Sequence, residues 1–318
     1  MAAIVGEKTA TRDAYGKALV EFGRQNPDVV ALDADLAKST RTEWFAKEFP
    51  ERFFDMGIAE QNMIGTAAGL AVSGKIPFAS SFAVFATGRA WEQIRLVVAY
   101  AKSNVKICAT HAGISVGEDG PTHQALEDVA IMRCLPNMTV VVPADWNETW
   151  QAVFALGQMD GPCYMRLGRE KFPNIFDDSY RFEIGKAATV REGGDVAIIA
   201  CGCMTSFAMT AAEELAAEGI GARVINMSTI KPIDVEAIAS AARDCGAIVT
   251  AEEHSVIGGL GGAVAEVVGD TYPVPMARIG VQDSFGHSGE PMKLFELFGM
   301  SAPHIAEACR KTIARKGK

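Results

Sequence analysis

Apolar positions along this chain keep two rhythms. The continuous apolar run at 29–32 reads as a strand buried on both faces, since neither face is left polar, and the stretches 76–81, 105–111, 138–142 and 163–167 read as further strands. Between them apolar residues recur at helical spacing, first as Ala14, Ala18, Leu19 and Phe22 behind Thr11-Arg12-Asp13, with Pro27 closing that helix, then over 91–100 and 146–156. Both rhythms lapse over 170–191. They resume with strands at 196–200, 222–226 and 247–251 and helices at 206–217, 235–242 and 262–268. Strand and helix in alternation predict an α/β protein of two domains, each a mostly parallel sheet with helices on both faces. The expected boundaries are a first domain over 1–169, a linker over 170–191 and a second domain over 192–318.

One helix departs from the amphipathic pattern. After a short strand at 52–54, the run Asp-Met-Gly-Ile-Ala-Glu-Gln-Asn-Met (55–63) leads into Ile-Gly-Thr-Ala-Ala-Gly-Leu-Ala-Val, apolar around most of its circumference and therefore expected to be buried. Glu60 stands at or just inside its start. A carboxylate there complements the helix dipole, worth roughly 0.3–1 kcal/mol. It equally suits a catalytic acid that shares its proton with a ring nitrogen in a site of low polarity.

Polar groups gather where strands end, the place at which open α/β sheets hold ligands. Asp-Ala-Asp-Leu-Ala-Lys-Ser (33–39) follows the first strand, and Asp35 and Ser39 suit either turn and cap chemistry or a ligand. Phe82 and Phe85 suit core packing or stacking on a flat heteroaromatic ring. After the strand at 105–111, the loop Ala-Gly-Ile-Ser-Val-Gly-Glu-Asp-Gly-Pro-Thr-His-Gln (112–124) is too polar and glycine-rich for a core. With His111 and His123 the region sets two of the five histidines beside Glu118 and Asp119. A zinc site on His111, Asp119 and His123 is the competing reading, although the helical His pair and CxxC spacing are missing. Arg166 and Arg169 flank the strand at 163–167, as bridges or as phosphate ligands. Gly-Gly-Leu-Gly-Gly (258–262) lies too far from its strand for a dinucleotide loop and reads as tight helix docking.

Composition narrows the classes. A chain of 318 residues with 49% hydrophobic and 22% charged residues is that of an ordinary globular protein with ample core material. No apolar run approaches the roughly 20 residues that span a bilayer, and the first twelve residues lack a secretion signal's apolar centre, so a cytoplasmic protein without membrane partners is expected. The seven cysteines lie mostly in apolar segments, as buried thiols in a reducing compartment would. A net charge of −9 argues against nucleic acid as a partner.

The Glu60 element with Gly57 before it, the Phe82-x-x-Phe85 pair and the run from His111 through Gly-Glu-Asp-Gly-Pro-Thr-His123-Gln resemble the pyrimidine-binding domain of the transketolase family. The linker and second α/β unit resemble that family's C-terminal domain, so the resemblance covers nearly the whole chain. The family's Gly-Asp-Gly and following Asn, which hold diphosphate and magnesium, are absent. The resemblance therefore implies the C-terminal subunit of a split transketolase, dependent on a separate N-terminal subunit in an α2β2 complex. The implied cofactor is thiamine diphosphate, with Mg2+ or another divalent ion held mainly by the partner. The implied reaction is transfer of a two-carbon ketol unit from a ketose phosphate to an aldose phosphate.

Residue by residue, the resemblance gives Glu60 a bond to N1′ of the cofactor's aminopyrimidine, and places Phe82 and Phe85 against that ring. Asp35 matches an acid near the cofactor at the subunit interface. Asp119 would contact the donor's C2 hydroxyl, and His123 would line the substrate channel and take part in catalysis. Arg12, Ser39, His111 and Arg169 match binders of the substrate's terminal phosphate. Two departures stand out: the family's third aromatic falls at Gly88, and the segment before Gln93 is one residue longer. A 1-deoxyxylulose-5-phosphate synthase-like half shares Arg-Cys-Leu-Pro-Asn-Met (133–138) and His-Ala-Gly (111–113), and a 2-oxoacid dehydrogenase E1 β subunit shares Ala-Glu-Gln (59–61). The Gly-Glu-Asp-Gly-Pro run favours transketolase over both. A non-catalytic partner or regulatory module is the reading from another class.

Overall fold

The computed structural model describes residues 5–317. Its strands are β1 (Val5–Thr9), β2 (Val29–Asp33), β3 (Phe53–Asp55), β4 (Ile76–Ser80), β5 (Lys106–Ala109), β6 (Thr139–Val141) and β7 (Cys163–Arg166). They continue as β8 (Phe172–Asn174), β9 (Ala188–Arg191), β10 (Val196–Ala200), β11 (Ala222–Asn226), β12 (Thr229–Lys231), β13 (Ile248–Ser255) and β14 (Met276–Val281). Seven form one sheet in the order β12-β6-β7-β5-β4-β2-β3, and five form another, β14-β13-β10-β11-β9. Within these two sheets all pairings are parallel except β12 with β6 and β9 with β11.

Both faces of the first sheet are covered, as its unbroken apolar strands require. Along β2, Val30 and Leu32 join one core cluster while Val29 and Ala31 join another. The first cluster holds Met63, Ile64 and Ala67 of helix Glu60–Val72; the second holds Leu19 and Phe22 of helix Thr11–Gln25 and Val153 and Leu156 of helix Trp146–Gln158. In β10 the alternation repeats, and Ala197 and Ile199 belong to the same cluster as Val30 and Leu32. One apolar core therefore runs across both sheets.

Three expectations change. The stretch expected as a linker carries β8, paired with β1, and β9, which edges the second sheet. Helix Glu60–Val72 is buried on one side only: Gln61, Asn62, Gly65, Gly69 and Val72 are exposed. Its apolar composition records what the side chains can bury, and within the described residues nothing lies over that face. The helix expected over 91–100 is a short α turn, Trp91–Gln93, running into a wide-turned π segment, Ile94–Tyr100, and the connection before it carries a second π segment, Val84–Arg89.

Candidate active site

Every candidate residue sits at one end of the first sheet. Asp35 and Ser39 follow β2, Glu60 follows β3, Phe82 and Phe85 follow β4, His111 follows β5 and Arg169 follows β7, while Arg12 opens the helix after β1. Because parallel strands all point the same way, residues far apart in sequence meet at their carboxyl ends.

Asp33 builds the first of these loops. Its Oδ1 accepts from the Leu36 N–H at 2.7 Å, and its Oδ2 accepts from the Thr40 and Thr42 hydroxyls at 2.7 and 2.8 Å. Burial, opposed by those hydrogen bonds, moves its carboxyl up to about 6. The loop so fixed turns the Ser39 carbonyl to Arg12 Nη1 at 3.1 Å, and places Arg41, in the left-handed region at φ 74°, against Asp13 at 2.6 Å.

Arg12 Nη1 also lies 3.1 Å from His111 Nε2, whose ring is oriented by a 2.8 Å contact between Nδ1 and the Thr110 hydroxyl. With Arg12 donating, Nε2 is an acceptor and Nδ1 carries the ring proton. Burial, then the charges of Arg12, Arg169 and Arg41, hold His111 neutral by moving it down to about 3. Burial and the nearby Arg41 likewise lower Arg12. Both ring nitrogens being engaged, with a guanidinium against one, His111 is a poor metal ligand here. Arg12 Nε is buried without a partner among the described residues. A cationic pocket with one unspent donor is a site for an anion.

Next to this pocket lies an aromatic stack. Phe82 faces His111 with centroids 3.8 Å apart and lies parallel to Phe85 at 6.1 Å and 11°, while His123 stands edge-on to both rings. Asp119 accepts from Arg169 Nη1 at 3.3 Å, and the same nitrogen donates to the Val116 carbonyl at 2.6 Å. Loop and strand end are thereby tied.

Glu60 is the first residue of its helix and only 1% exposed. Its Oε2 accepts from Arg89 Nη1 at 2.7 Å, and the Arg89 guanidinium lies 4.8 Å over the Phe85 ring. A flat cation is thus stacked on an aromatic ring and bonded to a buried carboxylate. A protonated aminopyrimidine would make the same two contacts, so these residues fit thiamine's ring.

The contacts gather Arg12, His111, Phe82, Phe85 and His123 into one group, join Asp119 to Arg169, and link Glu60 to Phe85 through Arg89. Ser39 enters through its carbonyl rather than the expected hydroxyl. Asp35 is exposed at φ 62° and bonded through its backbone to Asp55 at 3.1 Å, apart from that group among the described residues. Sequence reasoning missed Arg41 and Arg89. Arg89 had a signal, since it adjoins Gly88, where the family's third aromatic is missing; Arg41 had none beyond its place two residues after Ser39.

Residues 7–174 match the transketolase pyrimidine-binding domain and residues 185–305 the transketolase C-terminal domain. The chain belongs to the transketolase family. The 6-deoxy-6-sulfo-D-fructose transketolase subunit SqwH of Clostridium sp. is 47% identical, over 96% of this chain and 95% of that one. Human transketolase is 40% identical over 98% of this chain but only 50% of its own length, so the present chain corresponds to half of it. A solved structure described as a split gene transketolase, inactive β4 tetramer, is 56% identical with a TM-score of 0.91, covering 96% of this chain and 99% of that one. Membership of this family implies thiamine diphosphate as the cofactor.

Proposed function

We propose that this chain is the C-terminal subunit of a two-chain, thiamine diphosphate-dependent transketolase. It moves a two-carbon ketol unit from a ketose phosphate to an aldose phosphate in a cytoplasmic α2β2 complex, with Mg2+ or another divalent ion held mainly by the partner. The observation that carries this reading is the buried Glu60 carboxylate, already engaged by a planar cation stacked on Phe85. Split architecture is supported by SqwH, named a transketolase subunit and matched over 95% of its length, and by the split gene relative, whose β4 tetramer is inactive. Exposed apolar side chains point the same way: Ile58 precedes and Val72 ends the Glu60 helix, and Leu96 and Tyr100 lie on the segment Ile94–Tyr100 that packs against it.

Bound, the cofactor supplies a carbanion that cleaves and rebuilds the bond next to a ketose carbonyl. The chain's own residues do the rest. Glu60 holds a proton at the ring nitrogen N1′, in surroundings dry enough to strengthen that bond. Arg89, which now bonds Glu60 Oε2 and stacks on Phe85, would give way to the ring that takes its place. Phe82 and Phe85 wall the ring, and Asp35 stands where the partner's half meets it. Asp119 orients the donor's C2 hydroxyl, and His123 lines the channel as a proton-handling group. Arg12, His111, Arg169 and the Ser39 segment receive the terminal phosphate; once Arg12 turns to the anion, neutral His111 can donate from Nε2 in its other tautomer, with the Thr110 hydroxyl then donating to Nδ1.

Donor choice tests the reading. The complex of this chain with its N-terminal subunit is offered xylulose 5-phosphate or pyruvate, with an aldose phosphate as acceptor. Turnover with the ketose phosphate alone is expected. Preference for pyruvate would assign the chain to the synthase or dehydrogenase branch instead.

A further inference from the structure

The loop 113–124 makes few regular backbone contacts of its own and is held from behind by the second sheet. Glu253 of β13, 5% exposed, accepts from the Ser115 N–H at 2.6 Å. That N–H opens the 3-10 turn Ile114–Asp119, so the carboxylate caps it from a strand 138 residues away. The approach needs glycine at 113: φ is 81°, and a Cβ there would collide with the Glu253 carboxyl group. The carboxylate is itself held by the Cys203 thiol at 3.3 Å on Oε2. Arg166 steadies the strand around it, donating to the Glu253 carbonyl at 2.7 Å and to the Ala125 carbonyl at 3.2 Å. Further along, Gln124 Nε2 donates to the His287 carbonyl at 2.9 Å and the Ser288 hydroxyl donates to the Glu118 carbonyl at 2.6 Å.

We propose that Glu253 is a positioning residue: from the second sheet it fixes the turn that aims Asp119 and His123 into the site. The part concerning substrate rests on the reading above, in which this loop meets the donor sugar. The part concerning the loop does not. Glu253 touches no reacting atom; it acts through Ser115. An unpinned loop samples other conformations, and the donor then loses the oriented contacts of Asp119 and His123.

Hydrogen exchange on the full chain tests the loop, and kinetics on the assembled complex test the consequence. In Glu253→Ala, the peptide covering 113–120 should exchange at least about tenfold faster, the equivalent of losing one hydrogen bond to a charged group. Peptides covering β10 and the helix Glu60–Val72 should be unchanged. The donor KM should rise about tenfold with kcat within about threefold and cofactor affinity unaltered. Glu253→Gln, whose carbonyl can still accept from Ser115, should recover most of both effects. If Glu253→Ala fails to fold, Gly113→Ala pushes the same carboxylate off the turn and should release the same peptide. Unchanged exchange over 113–120 overturns the proposal whatever the enzyme does. Faster exchange with an unaltered donor KM overturns its link to substrate. A wild-type complex that transfers no ketol group would count against the functional reading alone, since the exchange result still decides the loop.

Discussion

At the strand ends that carry the candidate site polar groups are held but not used up, whereas at the ends of β10 and β13 they are spent. Among the former, Arg12 after β1 keeps a buried donor with no partner among the described residues, and the described contacts of Glu60 after β3 include a bond to Arg89, whose side chain is 46% exposed. Among the latter, Glu252 accepts from Leu260 N–H and Gly261 N–H, both at 2.7 Å, closing the start of helix Leu260–Asp270. Glu253 is occupied by Ser115 and Cys203, and His254 Nδ1 donates to the Ser255 carbonyl at 2.7 Å. Two sheets of one architecture thus carry opposite electrostatic designs. Parallel strand ends offer a ligand site, and whether one exists depends on whether the chain satisfies its own groups there. The second sheet serves as the back wall of the first.

The contrast can be broken from either side. Glu60→Gln in the assembled complex should lower ketol-transfer turnover by about 100- to 1,000-fold, the range for loss of a positioned acid, with the melting temperature nearly unchanged. Unchanged turnover would make the chain a non-catalytic partner. Glu252→Ala should do the reverse: it orphans two buried N–H groups at a helix start, so stability falls by roughly 2–3 kcal/mol in denaturant titration. Any specific loss of cofactor binding there would erase the distinction between the two ends.

His111 sharpens the contrast through pH. Its folded value of about 3 lies below the unfolded 6.5, so between these the unfolded chain binds the extra proton. The stability this neutral ring contributes is fully present above pH 6.5 and is lost as pH falls toward 3. Wild type minus His111→Gln should show about 2 kcal/mol of that loss between pH 6.5 and 5. A flat difference would mean the ring is solvated. Smallest is Arg89→Met, which frees Glu60 of an exposed partner; thiamine diphosphate should bind the complex about threefold more tightly, less than about 1 kcal/mol. Weaker binding would make Arg89 a ligand rather than a placeholder.

Much of this is legible in the sequence because buried parallel strands announce themselves. The predicted strand 222–226 is β11, and the alternation alone places the site residues after strand ends. Gly258 to Gly262 also behaves as read: a Cβ at Gly259 would collide with the Glu252 carboxylate that caps the docked helix. What escapes depends on non-local pairing. β12 is three residues that leave the second half of the chain to pair antiparallel with β6, and no local period reveals that. Helix Glu60–Val72 reads as buried all round because composition cannot say what covers a face. In the site, types and loops are readable, but the Arg89–Glu60 pair needs the π turn, and Asp35 stands apart because its loop is folded around Asp33.

The central claim is that this chain holds half of a cofactor site. Calorimetric titration of thiamine diphosphate with magnesium, into the chain alone and into its mixture with the N-terminal subunit, addresses it directly. Heat of binding in the mixture and none in the isolated chain is the predicted result. Tight, magnesium-dependent binding by the chain alone would contradict it, since the diphosphate would then have a cradle within these residues.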